Sequence, residues 1–293
     1  MQLRTYCGVA ILFVMPAKSL AAQKPSTEWA DRLIGHSLYL RGAWTEDKID
    51  FDAAGQPSTA ANRGSLTLSG IDVTDVKRAG RSLILHGHRV ALVSPAPGEP
   101  LKRVAAINST TQMPFTLRHK EYKANEPIQF TVAADAQGSF SAALAAIFAD
   151  GLVQLARSIP EYWRCYAAAY FVDGPPPTNA SQDVMQCAQT QTRGVHGVSG
   201  MEPASFTPVQ VVESASPTLT HAAQELRISG VCSVYATISP HGTPSDFQVL
   251  SAVGGGLDEV ALDALAHSTF RPATVDGSPV SAGFQYSLRI SPE

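Results

Sequence analysis

Two histidines, His86 and His88, have the spacing that most directly suggests chemistry. They lie two positions apart in a strand-like stretch, so both imidazoles are expected on one face of a strand, where a third ligand would complete a metal site. The sequence offers no evident third ligand. The spacing therefore favours a structural, partly exposed pair, and we expect neither a metal nor a cofactor.

Three glycines, Gly254 to Gly256, precede a predicted helix, and a helix N-terminus can hold an anion. No lysine follows them, and the carboxylate of Asp258 would repel a phosphate. The chain also lacks the G-x-S-x-G elbow of hydrolases, while Asp72 and Asp75 are interpreted as turn and surface residues. We therefore expect a loop at the glycines and a protein that is not an enzyme.

The first 22 residues have the pattern of a secretory signal peptide. Arg4 precedes an apolar run from Cys7 to Ala17, and Ser19-Leu20-Ala21 ends in small residues at the spacing that signal peptidase accepts. The run is about half of the ~20 residues needed to span a bilayer. We expect cleavage, no stable membrane span and a periplasmic or secreted protein; the alternative is a retained inner-membrane anchor facing the periplasm.

Export implies an oxidising compartment, in which Cys165, Cys187 and Cys232 remain. Cys232 alternates with Val234 and Ala236, which is typical of a buried structural thiol. We predict a disulfide between Cys165 and Cys187, although the sequence itself does not fix this pairing. The formal net charge of -3 and the lack of a basic stretch give no indication of nucleic-acid binding.

The chain divides into a β-rich N-terminal domain (23–172), a Pro/Gly/Ser-rich linker (173–207) and a C-terminal domain (208–293). Short strand-like stretches separated by turns indicate an antiparallel meander, sandwich or barrel in the first domain. We predict these strands at 37–44, 48–52, 65–68, 73–77, 81–93, 114–122 and 128–133.

Apolar residues recur at helical spacing from Ser141 to Leu155 and predict a helix that closes the open face of these strands, with Pro160 as its stop. Aromatic residues follow, and we expect them to pack the end of the first domain, the alternative being a ligand-binding platform. They are Tyr162, Trp163, Tyr166, Tyr170 and Phe171. The tandem prolines at 175–177 then predict an extended spacer.

The last third of the chain is α+β in pattern: helix, two antiparallel strands, helix, strand. Its final stretch, 280–290, alternates apolar and mostly polar residues, which predicts a strand with one buried and one wet face. We expect a three-stranded antiparallel sheet packed on two helices. Because the first domain is also expected to combine strands with a closing helix, we predict that the whole chain is α+β.

Several short motifs agree in order and spacing with the TonB C-terminal domain family, which residues 217–290 resemble. These motifs are Gly230, His241-Gly242, Gly255-Gly256-Leu257-Asp258, Ala261-Leu262, Ala264-Leu265, Phe270-Arg271-Pro272-Ala273, Asp276-Gly277 and Pro279-Val280. The sequence departs from the family's pattern at Leu219-Thr220, where Tyr-Pro is usual, and at Ser268, where an aromatic residue is common.

The resemblance implies a periplasmic module that recognises a partner, such as an outer-membrane TonB-dependent receptor, by pairing its last strand with an extended segment of that partner. The implied partner-binding residues are Val280, Ser281, Ala282, Gly283, Phe284, Gln285, Tyr286, Ser287, Leu288 and Arg289. A long exposed edge strand also allows a homodimer.

Two other hypotheses stay open at this point. The chain could be an anchored energy transducer for outer-membrane transport, as other family members are. Alternatively, its N-terminal domain could be an uncharacterised enzyme or ligand carrier that uses the aromatic residues or the two histidines.

Overall fold

The computed structural model describes residues 25–104, 128–192 and 205–291. The predicted signal peptide and the predicted strand at 114–122 lie outside these ranges. Among the described residues, none of the helices is both long and apolar enough to cross a membrane. Throughout the described ranges the chain is α+β, as expected.

The N-terminal half is built on a sheet with strand order β2-β7-β4-β3-β1-β8, antiparallel except for the parallel pair β2–β7. Helix α1 (Pro25–Leu33) packs against β3. The strands are β1 (Leu38–Leu40), β2 (Lys48–Phe51), β3 (Gly70–Ala79), β4 (Ser82–Val90), β5 (Leu92–Val93), β6 (Lys102–Arg103), β7 (Ile128–Ala133) and β8 (Phe148–Ala149), of which β5 and β6 form a separate pair.

The predicted strand at 65–68 is wrong, because Leu66–Leu68 is a 3-10 turn capped by the hydroxyl of Ser65. The predicted helix from Ser141 to Leu155 is also wrong as one element. It divides into α2 (Ser141–Ile147) and α3 (Leu152–Leu155), since β8 between them pairs with β1 and so uses its backbone groups in the sheet.

A helical layer follows, formed by a 3-10 turn (Glu161–Trp163), α4 (Arg164–Tyr170) and α5 (Ala180–Gln191). The prediction of an extended spacer is wrong over α5, whose residues Ala180, Val184 and Ala188 are buried at helical spacing. The division into domains at 173–207 stays a prediction.

The C-terminal region has the predicted order of helix, two strands, helix and strand, and its sheet has the order β12-β11-β16. Five further short strands were not predicted as separate elements: β9 and β10 precede α6, and β13, β14 and β15 lie between α7 and β16. The elements are β9 (Phe206–Thr207), β10 (Gln210–Glu213), α6 (His221–Glu225), β11 (Gly230–Ile238), β12 (Pro244–Ser251), α7 (Leu257–Ala266), β13 (Thr269–Arg271), β14 (Ala273–Val275), β15 (Ser278–Val280) and β16 (Ala282–Ile290).

One core joins the C-terminal sheet to the helical layer. Cys232, Val234 and Ala236 of β11 are buried in it, as predicted, and Tyr235 and Thr237 on the other face of this central strand are buried as well. Trp163 and Tyr166 are fully buried in the same core. The predicted aromatic cluster therefore packs with the C-terminal sheet. The rings of Trp163 and Tyr166 are closed off from solvent, whereas Tyr162 is half-buried.

Candidate functional site

The last strand, β16, is an edge of the C-terminal sheet. It pairs with β11 in an unbroken antiparallel register of nine residues, from Gly230 opposite Ile290 to Ile238 opposite Ala282. Within the described ranges, no strand pairs with its other side. One row of backbone N–H and C=O groups along nine residues is therefore open to another strand.

The two faces of β16 differ in polarity, as the sequence predicts. Phe284, Tyr286 and Leu288 are half-buried and pack against the core, and the ring of Phe284 meets that of Phe270 edge-on with centroids 5.5 Å apart. On the other face, Gln285, Ser287 and Arg289 are exposed. An added strand would thus meet an apolar row on one side and a polar row on the other.

The predicted binding strand begins two residues later than expected. Val280 belongs to β15, which forms a hairpin with β14 around Asp276-Gly277, and Ser281 lies between β15 and β16. The other predicted residues, 282 to 289, all lie on β16.

The strand at the opposite edge of the sheet, β12, packs against other elements and is buried over Gln248, Val249 and Leu250, whereas Ser245 and Asp246 near its start are exposed. Helices α4 and α5 and the preceding 3-10 turn pack against β12. Cys165 of α4 and Cys187 of α5 form a disulfide, with a Cα–Cα distance of 5.6 Å, so the two covering helices are covalently joined. A cross-link of this kind restricts the unfolded chain and thereby stabilises the helix pair.

The glycine loop before α7 docks against the N-terminal half. The amide of Gly255 donates to Leu92 O (2.9 Å), and the amide of Gly256 donates to Thr67 Oγ1 (2.8 Å). A Cβ at Gly254 would lie 2.0 Å from Leu92 O, so this position has no room for a side chain. The loop is thus a contact between the two halves of the chain, and the amides of Gly255 and Gly256 are used in that contact.

The first turn of α7 carries two acidic residues with different roles. Asp258 is fully buried and accepts hydrogen bonds from the amides of Val253 (2.8 Å) and Gly254 (2.9 Å). Burial, and then the neighbouring Glu259, raise the pKa of Asp258 to about 7. Burial and the charge of Asp258 also raise the pKa of the Cys232 thiol, which is buried, hydrogen-bonded to Asp258 and not part of a disulfide.

Glu259 connects three parts of the chain. Its Oε1 accepts hydrogen bonds from the amide of Leu66 (3.1 Å) and from the indole Nε1 of Trp163 (3.0 Å). The residue also lines a cavity of about 560 Å³ between these parts, whose wall includes Arg41 and Tyr162. The guanidinium of Arg41 donates to the backbone carbonyls of residues in and beside α2 and α3, so the contacts of this side chain are structural.

The two histidines lie on β4, on either side of Gly87. His86 Nδ1 is 3.6 Å from Asp75, and in the described ranges no group of three potential metal ligands is assembled. Asp72 pairs with Arg103. His86 and Asp72 thus each lie beside a side chain of opposite polarity at the surface of the sheet.

Two residues at positions where the sequence departs from the family's pattern, Thr220 and Ser268, make local hydrogen bonds. Thr220 caps α6 by accepting from the amide of Ala223, and its hydroxyl donates to Gly255 O. The hydroxyl of Ser268 donates to Ala264 O (2.7 Å) and accepts from the amide of Ala215 (3.0 Å). The substituted side chains therefore hold the ends of the two helices in place.

Residues 215–289 match the model of the family described as Gram-negative bacterial TonB protein C-terminal. This region belongs to the TonB C-terminal domain family. The solution NMR structure of the Pseudomonas aeruginosa TonB CTD is similar over 35% of this chain and 97% of that chain, with 21% sequence identity and a TM-score of 0.26. No curated protein matches the chain.

Proposed function

We propose that the C-terminal region is a protein-recognition module of the periplasm that binds an extended partner segment by adding it to the open edge of β16. The observation that carries the proposal is the asymmetry of the sheet, because two disulfide-linked helices pack against β12, whereas no strand of the described residues pairs with the outer side of β16. Strand addition draws its affinity from such backbone groups and its register from the alternating side chains.

The partner that we propose is a TonB-dependent receptor of the outer membrane, in line with the family of residues 215–289. The N-terminal half would then hold the module in a fixed position through the glycine loop and Glu259. No chemical step is required of either half.

A matched pair of spin labels tests the proposal. Ser287 lies on β16 and Ser245 on β12, and both are exposed serines of edge strands. The full chain, with Ser287→Cys or Ser245→Cys labelled by a nitroxide, is titrated with an isotope-labelled peptide copied from the periplasmic extended segment of such a receptor. We expect the peptide signals to broaden more strongly with the label at 287 than with the label at 245, because Ser245 lies two strands away from β16 across the sheet.

Two results would contradict the proposal. One is equal or absent broadening at millimolar peptide. The other is a concentration-dependent dimer of the free chain whose interface is β16, which sedimentation and the same label would detect and which would assign the edge to a second copy.

A further inference from the structure

The open edge has a basic end and an uncharged beginning. Arg289, the next-to-last residue of β16, is exposed, and no described residue pairs with its guanidinium. Arg227, also exposed, precedes by three residues Gly230, the partner of Ile290 in the register. Strands β11 and β16 contain no other charged residue. Two exposed positive side chains are therefore associated with the end of β16, and the acidic residue nearest to Arg227 in the sequence, Glu225, is half-buried.

The side chain of Arg289 lies on the polar face, in line with Gln285 and Ser287. On an added strand, alternate side chains stand beside this face, and those between them stand beside Phe284, Tyr286 and Leu288. Opposite charges on neighbouring strands attract and like charges repel. An acidic side chain next to Arg289 would give that arginine a partner on the added strand.

We infer that Arg289 determines which extended segments bind and in which direction. The inference rests on the proposed function. The partner segment alternates apolar and polar residues and carries an acidic residue, on its polar face, at the end that lies beside Arg289. The opposite end of β16 carries no charge. A segment that binds in the same direction but has its acidic residue at the other end therefore loses the contact with Arg289.

Three synthetic nonapeptides test the inference, each with alternating Val and Thr and with blocked termini. One has a single Glu near its N-terminus, one has it near its C-terminus, and one has Gln at both positions. Each is titrated into the isotope-labelled full chain, and into Arg289→Gln and Arg289→Glu, with the amide signals of 282–290 as readout. Unchanged amide signals elsewhere show that the variants fold.

We expect one of the two Glu peptides to bind about three- to fivefold more tightly than the other two peptides, the effect of a cross-strand ion pair worth up to about 1 kcal/mol. Arg289→Gln should remove the preference, and Arg289→Glu should reverse it. Peptides that shift the β16 amides with equal affinity, or a preference that survives in Arg289→Gln, would overturn the inference and leave strand addition standing. Failure of all three peptides to shift those amides would count against strand addition itself.

Discussion

The indole Nε1 of Trp163 donates a 3.0 Å hydrogen bond to Oε1 of Glu259, an oxygen that also accepts from the amide of Leu66. One carboxylate thus joins the helical layer, the N-terminal half and the TonB-type region. Replacement of Glu259 by Ala leaves two donors without their acceptor, and such a loss costs roughly 2 to 4 kcal/mol.

We therefore expect Glu259→Ala to lower the free energy of unfolding by that amount in urea denaturation. Asp263→Ala provides the control, since it lies on the same helix and its side chain is 74% exposed, so its effect should stay within about 0.5 kcal/mol. Equal losses in the two variants would show that Glu259 does not join the parts of the chain.

The close approach at Gly254 gives a second prediction. Gly254 and Gly277 both have positive φ (92° and 78°), but only at Gly254 would a Cβ meet another backbone, at Leu92. Gly277→Ala should cost about 1 kcal/mol from backbone strain alone, and Gly254→Ala roughly 3 kcal/mol or more. Similar values for the two variants in thermal or urea denaturation would contradict the docking of the glycine loop.

The disulfide gives a third prediction. Replacement of Cys165 and Cys187 by Ser should lower the free energy of unfolding by about 3 kcal/mol, the chain-entropy value for cysteines 22 residues apart. A reductant should shift the urea midpoint of the unaltered chain but not that of the double variant. If the reductant leaves the urea midpoint of the unaltered chain unchanged, the disulfide does not stabilise the packing of α4 and α5 against β12.

The pKa of Asp258 gives a dependence of stability on pH. Its value of about 7 in the fold lies above the ordinary 3.8, so the folded chain binds a proton more tightly than the unfolded chain. The contribution of Asp258 is complete below pH ~4 and is lost as the pH rises through about 7. We expect the urea midpoint of unfolding to decrease between pH 4 and 7 and to level off above that range, and Asp258→Asn to flatten the decrease. A variant with an unchanged slope would assign the pH dependence to other groups.

The sequence predicted the elements whose pattern is local. Alternation along 280–290 indicated the two faces of β16, because a strand with one buried face must repeat every two residues. The order of the strands, with β16 at an edge, has no local signature and followed from the resemblance to a family.

Elements that depend on distant partners were not predictable in this way. Local composition alone indicates a spacer where α5 lies. The packing of α5 on β12 and its disulfide to Cys165 depend on residues far apart in the chain, so the local sequence does not indicate this helix. Pairing with β1 likewise makes Phe148–Ala149 a strand within a helical pattern. The role of Glu259 was missed for the same reason, because its donors lie 96 and 193 positions away.

Amide hydrogen exchange of the full chain, with and without the receptor peptide, tests the central claim most directly. In the free chain, amides of β16 that point away from β11 have no strand partner among the described residues and should exchange quickly. Saturating peptide should slow alternate amides within 282–290 by at least about tenfold and leave 244–251 unchanged. Protection confined to 244–251, or no added protection on β16, would contradict recognition by strand addition at this edge.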